Sequence, residues 1–276
     1  MAILHCNFFS KALMRPVPIT VVLPTDKRVG PQGTPPAGPF KTLYLLHGIF
    51  GDETDWVCGT RAQAWATERN LALVMPAGEN SFYVDHPNAS RNYGQFIGEE
   101  LVEFTRRTFP LSSKREDTFI GGLSMGGFGA IVNGLKHPET FGAVCALSSA
   151  LILDSMLENT QYTGDLMTNK GYYESVFGDL SQVRGGPADY DALAEKAAQA
   201  PVRPKFYLAC GTEDGLITVN RQFRDHLLAL GFDVTYEEGL GVHDWYFWDE
   251  YILKAMNWLP LAGAQQGLSS GHVSGA

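Results

Sequence analysis

The sequence predicts an α/β protein: a mostly parallel central sheet of about eight strands, helices on both faces, and a small cap-like insertion near residues 150–200. Three observations point there. Short, nearly continuous apolar runs recur along the chain, as strands buried on both faces require. From residue 42 onward, segments of helical spacing separate these runs, the alternation of parallel strands with crossover helices. One connection, 150–200, is much longer than the rest, and connections of that length are commonly functional.

Taken in order, "MAILHCNFFSKALMRPVPITVVLP" reads as two strands, the second at ITVVLP (19–24). It carries His5, Lys11 and Arg15 but no basic segment ahead of its apolar residues, so it is not a signal peptide. "DKRVGPQGTPPAGPF" (26–40) is rich in Pro and Gly and is expected as an exposed loop. TLYLLH (42–47) is the first buried parallel strand, followed by a helix over 60–69 and the strand LALVMP (71–76). Residues 92–108 place Phe96, Leu101, Phe104 and Thr108 near helical spacing, ahead of the strand DTFIGG (117–122). A helix over 126–136 and the strand AVCALS (143–148) lead into the insertion, with its "YTGDLMTNKGYYESVFGD". The strand KFYLAC (205–210), a helix over 217–230, the strand DVTYEE (233–238) and a helix over 245–258 complete a single domain, residues 1–262. The tail "GAQQGLSSGHVSGA" (263–276) has little to bury and is expected to be disordered.

Composition narrows the function. Of 276 residues, 45% are hydrophobic and 12% aromatic, enough for a sizeable core. The net charge of −9 offers no basic face to nucleic acid, and no run of Lys and Arg suggests a membrane-surface helix. No stretch approaches the ~18 apolar residues of a membrane span. Cys6, Cys58, Cys145 and Cys210 show no CxxC or Cys/His pairing, so reduced thiols in a cytoplasmic protein are expected, with neither disulfides nor a zinc site.

Chemistry enters at G-L-S-M-G (122–126), a G-x-S-x-G placed between an apolar strand and a helix-forming run. A strand–nucleophile–helix turn forces strained backbone angles on Ser124, and glycine at 122 and 126 removes clashes two residues to either side. Gly127 and Gly129 would let the following helix pack closely. That helix also aims its positive end at the serine. By itself the pentapeptide could be a Gly-rich turn; its strand and helix context argues for a nucleophile.

A serine hydroxyl needs a base. Where the chain order is Ser, acid, His, the histidine lies late, and His243 follows the last strand and precedes the last helix. His137 sits at a helix C-terminus, His226 in mid-helix and His272 in the tail, while His5 and His86 precede Ser124. The acid should follow the penultimate strand, where "GTEDG" offers Asp214, with Glu213 as the fallback. Backbone N–H groups of Met125 and Ile49 would form an oxyanion hole, with Phe50 a weaker candidate. His47 ends a buried strand and reads as structural.

Six ordered stretches, "LLHGIFGDETDW", "MPAGENSFYVDHP", "NYGQFIGEELVEFTRRTFP", "GGLSMGGFGA", "CGTEDGL" and "GVHDWYFWDEYI", together resemble the putative-esterase (esterase D-like) family of the α/β-hydrolase fold. Within it they look most like bacterial tributyrin esterases and related acetyl and feruloyl esterases. The resemblance runs from about residue 5 to 258 and implies Ser124, Asp214 and His243 as the triad of a carboxylic ester hydrolase. S-formylglutathione hydrolases in the same superfamily usually carry His where this chain has Phe128; mycolyltransferases, also related, are exported. A thioesterase, an acyltransferase and a non-catalytic binding protein on this fold are the alternatives.

No cofactor or metal is called for, the partner is a small-molecule ester, and a homo-oligomer would be ordinary. Among the aromatics near the motifs (Phe50, Trp56, Phe82, Tyr83, Trp245, Trp248), Phe50, Tyr83 and Trp245 are the substrate-binding candidates. Each sits on a loop at a strand's C-terminal end, where open α/β sheets bind ligands. They suit a short acyl chain, or an aryl or sugar alcohol stacked on a ring.

Overall fold

The computed structural model describes residues 2–27, 34–86 and 88–261. Apolar alternation builds a sheet of eight strands: β1 (Ala2–Ser10), β2 (Arg15–Leu23), β3 (Lys41–Leu46), β4 (Leu71–Pro76), β5 (Thr118–Leu123), β6 (Ala143–Leu147), β7 (Lys205–Gly211) and β8 (Val234–Gly239). Their spatial order is β1-β2-β4-β3-β5-β6-β7-β8. β1 and β2 form an antiparallel hairpin, β2 runs antiparallel to β4, and every pairing from β4 through β8 is parallel. The α/β-hydrolase architecture expected from the sequence is the one found.

The helices are α1 (Asp55–Gly59), α2 (Ala62–Glu68), α3 (Tyr93–Gln95), α4 (Leu101–Thr108), α5 (Met125–Lys136), α6 (Leu153–Asn159), α7 (Lys170–Phe177), α8 (Tyr190–Ala198), α9 (Ile217–Ala229) and α10 (Trp245–Trp258). Outside the insertion, whose helices the sequence reading did not divide, two differ from that reading. The short α1 carries no periodic signal, because five residues are too few to show one. The helix expected over 92–108 is interrupted by a π-helical turn, Phe96–Glu100, between α3 and α4.

Strand residues alternate between two cores. Tyr44, Leu46, Ile120 and Val144 pack with Ile97, Leu101 and Ile131 on one face, joined by Tyr190 and Phe223. Leu43, Leu45, Phe119 and Cys145 pack with Trp56, Trp65, Trp248 and Ile252 on the other. The insertion between β6 and β7 holds α6, α7 and α8, and α8 belongs to the first core. Its Tyr190 meets Phe128 edge-on at 5.8 Å and Phe223 at 5.5 Å. Of the Pro/Gly loop, residues 34–39 are largely exposed and 28–33 lie outside the described residues, as does the tail 263–276.

Parallel register aligns the strand ends. Leu46 pairs with Gly122, Leu123 with Leu147, Leu147 with Ala209, and Gly211 with Gly239. The loops leaving β3, β5, β6, β7 and β8 therefore emerge together at one edge.

Candidate active site

Ser124 occupies the sharp turn between β5 and α5 at φ 52°, ψ −118°, a conformation that costs a non-glycine residue of order 1–3 kcal/mol. Its backbone is over-determined. The N–H donates to Leu147 O at 2.9 Å, and the carbonyl accepts from Phe128 N–H and Ala150 N–H, both at 3.0 Å. The flanking glycines are needed for space: a Cβ on Gly122 would lie 2.4 Å from Gly126 O, and one on Gly126 would lie 2.3 Å from Leu46 O. Further along α5, the ring of Tyr83 fills the place a Gly129 side chain would take.

The loop after β8 brings His243 to this turn, with Nε2 2.9 Å from Ser124 Oγ. On the other side of the ring, Nδ1 lies 2.8 Å from Asp214 Oδ2. Asp214 is buried, and its second oxygen accepts Leu216 N–H at 2.9 Å. Burial pushes this carboxyl up, but the bonds from the His243 ring and Leu216 N–H outweigh it and hold it below its ordinary value. An ionised Asp214 fixes the proton on Nδ1, so Nε2 presents its lone pair to the Ser124 hydroxyl. The imidazole rests edge-on against Trp248 at 4.9 Å, and its side chain is 36% exposed, open to water. Glu213, the fallback acid, is exposed and offers its N–H to Gly241 O.

The loop leaving β3 runs beside the serine. A Cβ on Gly48 would sit 3.6 Å from Ser124 Cβ. His47 is buried and has both nitrogens committed: Gly78 N–H donates to Nε2 at 2.8 Å, so Nδ1 carries the proton and donates to Gly48 O at 2.7 Å. Burial holds the His47 pKa below its ordinary value, in keeping with a neutral ring. Across a trans peptide, a Gly48 carbonyl drawn toward His47 turns Ile49 N–H the opposite way. Among the described residues, the N–H groups of Ile49 and Met125 have no acceptor, whereas that of Phe50 is already donated to Asn80 Oδ1 at 2.8 Å. Ile49 is thus better placed than Phe50 to supply the second donor.

The aromatic candidates separate. The Phe50 ring stands free, 70% exposed. Trp245 is half-buried, edge-on to Trp56 at 5.7 Å and Trp248 at 5.2 Å, and lines a cavity of about 530 Å³ with Cys58, Thr60, Arg61, Tyr246 and Asp249. Tyr83 corrects the expectation. It is fully buried, with its hydroxyl donated to His47 O at 3.0 Å and its ring over Gly78 and Gly129, so it braces the β3 loop and lines no opening. Phe128 is equally buried, edge-on to Phe82 at 5.3 Å and Phe177 at 6.0 Å. Asn80 and Tyr172 escaped the sequence reading: Asn80 stands in one of the six family-like stretches and Tyr172 in the insertion, but neither side chain was assigned a role there.

Comparison with known proteins places this geometry. The family described as "Putative esterase" matches residues 10–259. An acetyl esterase of Caldicellulosiruptor saccharolyticus is 44% identical over 261 residues, covering 94% of this chain and 98% of the relative. A substrate-bound structure of the fluorophosphonate-binding serine hydrolase F of Staphylococcus aureus superposes with a TM-score of 0.81 at 32% identity, covering 94% of this chain and 98% of that one. An S-formylglutathione hydrolase structure from the same organism gives 0.80 at 32% identity, with the same coverage. With a serine on a strained strand–helix turn and relatives that match nearly end to end, the chain belongs to the putative esterase family and is a carboxylic ester hydrolase.

Proposed function

We propose that the protein is a serine carboxylesterase that hydrolyses short-chain acyl esters, acetyl to butyryl, through an acyl-enzyme on Ser124. One observation carries the reading: an unbroken hydrogen-bonded path from Asp214 through His243 to Ser124 Oγ, at 2.8 and 2.9 Å. In the first step Ser124 Oγ attacks the ester carbonyl as its proton passes to His243 Nε2. Asp214 stabilises the imidazolium, and the N–H groups of Ile49 and Met125 hold the oxyanion. Collapse expels the alcohol, protonated by His243. Water, reaching the site past the exposed imidazole, then repeats the sequence on the acyl-enzyme.

An acetyl group fits the acetyl esterase relative, and the aromatic surfaces of Phe50 and Trp245 suit a sugar or aryl portion of the ester, as in acetylated or feruloylated carbohydrates. The insertion at 150–200, whose Tyr172 bonds to Asn80 beside Phe50, would cap the Phe50 side. Ser124→Ala should abolish turnover of p-nitrophenyl acetate in a folded protein, and near-normal activity in that variant would overturn the assignment. A p-nitrophenyl series of increasing acyl length, run beside acetyl-xylan and methyl ferulate, defines the preference.

A thioesterase acting on S-formylglutathione is the second reading, favoured by the Staphylococcus aureus relative of that description. Against it, Phe128 lies in a closed aromatic cluster, with no polar group offered where such hydrolases usually place a histidine. A higher kcat/KM for S-formylglutathione than for p-nitrophenyl acetate would decide for the thioesterase.

A further inference from the structure

Phe50 adopts φ 69°, a left-handed conformation that a bulky residue keeps only when its surroundings enforce it. What enforces it comes from the loop after β4. Asn80 Oδ1 accepts Phe50 N–H at 2.8 Å. That loop is itself strained and internally braced: Glu79, Phe82 and Tyr83 have φ of 48°, 52° and 56°. Ser81 Oγ donates to Gly78 O at 2.6 Å and accepts Tyr83 N–H at 3.1 Å. Two further bonds tie it to the end of β3, Gly78 N–H to His47 Nε2 and Tyr83 OH to His47 O. On its outer side, Tyr172 OH of α7 donates to Asn80 O at 2.9 Å, a contact spanning 92 residues of sequence.

We propose that Asn80 is a positioning residue for the oxyanion hole, and that Tyr172 couples the insertion to it. This rests on the esterase reading above and concerns the same site. The peptide bearing Ile49 N–H is held at Gly48 O by the His47 ring and, one residue on, by the Asn80 carboxamide at Phe50. Asn80 also occupies Phe50 N–H, so of these two neighbouring groups it is Ile49 N–H that remains for the developing oxyanion. Without the amide acceptor, residue 50 can leave its left-handed conformation, and the Ile49 N–H loses its aim. The insertion thereby reaches the chemistry: whatever moves α7 pulls on Asn80 through its backbone carbonyl.

The test measures kcat and KM for p-nitrophenyl acetate, together with the rate of fluorophosphonate labelling, which needs the same oxyanion donors. Asn80→Ala should lower kcat about 10- to 100-fold, short of the loss from deleting a donor outright, with KM within about twofold. Labelling should slow in proportion. Asn80→Asp, which keeps an acceptor oxygen in place, should recover most of the loss. Tyr172→Phe should lower kcat by a few fold in the wild-type background and have no effect in the Asn80→Ala background. An unchanged kcat in Asn80→Ala, a loss seen in KM instead, or an equal defect in Asn80→Asp would overturn the proposal. If Asn80→Ala does not fold, Tyr172→Phe decides: the drop in kcat supports the proposal and an unchanged kcat overturns it. Ser124→Ala, run alongside, separates the two ideas, because full activity there sinks the esterase mechanism itself.

Discussion

At Gly126 one methyl group separates a working turn from a broken one. An added Cβ would meet Leu46 O at 2.3 Å and His47 O at 2.6 Å, and both are backbone atoms at the strand end from which the Ile49 loop leaves. Neither can yield without moving Ile49. Gly126→Ala should therefore lose about 1–3 kcal/mol of stability, the usual cost of overpacking, and most of its activity. Gly164→Ala, where the new Cβ meets nothing within 4 Å, should change neither. Urea midpoints and kcat/KM for p-nitrophenyl acetate on both variants check this, and an active, stable Gly126→Ala would refute the steric account. That Ser124, Asp214 and His243 come together was legible in the sequence, because chain order and strand-end position constrain where they lie. Tyr83 was misplaced for a physical reason. Its loop lies where expected, but its left-handed backbone and the open space over Gly78 and Gly129 draw the ring inward. Asn80 and Tyr172 were invisible because their contacts involve backbone groups far away in sequence, which no residue pattern encodes.

Elements were read better than their junctions. The apolar runs marked the strands from β2 to β8 to within a few residues; burial on both faces gives the signal in β3 to β7, while the half-buried edge strand β8 shows it more weakly. Strand order was not legible: that β4 lies between β2 and β3 is decided by crossover packing, not by local sequence. The π turn left one trace, since Phe96 and Leu101 stand five residues apart, one more than an α-helical face takes, a step the sequence reading treats as near-helical. Its last residue, Glu100, fastens the β1–β2 hairpin to the body. Oε1 accepts Lys11 N–H at 3.0 Å and Ala12 N–H at 3.1 Å, and Oε2 accepts the Ser10 hydroxyl. Glu100→Gln should weaken these charge-assisted bonds and cost about 1–2 kcal/mol. The loss should be localised: hydrogen exchange should quicken over β1 and β2 while kcat/KM stays unchanged, the hairpin being at the far edge of the sheet from β5 and β8. Uniformly faster exchange, or unaltered exchange in β1, would contradict this role.

For the molecule as a whole, the groups whose titration folding shifts define a two-stage response to acid. His47 and His137 are held below their ordinary value of 6.5, chiefly by burial. The unfolded chain therefore binds protons at these sites that the folded chain refuses, and stability falls as pH drops below about 6.5 until the lowered folded values are passed. Protonating His47 would also make Nε2 a donor facing the Gly78 N–H that now donates to it, so the loop carrying Ile49 feels the same pressure. A second stage lies lower. Asp214, Asp52 and Asp117 are held below 3.8, and Glu238, paired with Arg221, is lowered from 4.5 to about 2. Their stabilisation is complete above the ordinary carboxyl values and is lost as pH falls through the folded ones. Asp55 and Asp191 oppose this modestly, since burial raises them and their contribution falls as pH rises past 3.8. Glu238 is half-buried but its partner Arg221 is exposed, so solvent screening keeps the pair's share small. The decisive comparison is the urea midpoint across the histidine range, from about pH 8 down to pH 5. The wild-type midpoint should decline over this window, and His137→Gln, which removes one of these two imidazoles, should decline less steeply. A midpoint flat to pH 5, or an identical slope in the variant, would show that these rings do not set the acid response. The same titration followed by activity should show turnover failing no later than the fold, because His47 holds the loop that carries Ile49 as well as part of the core.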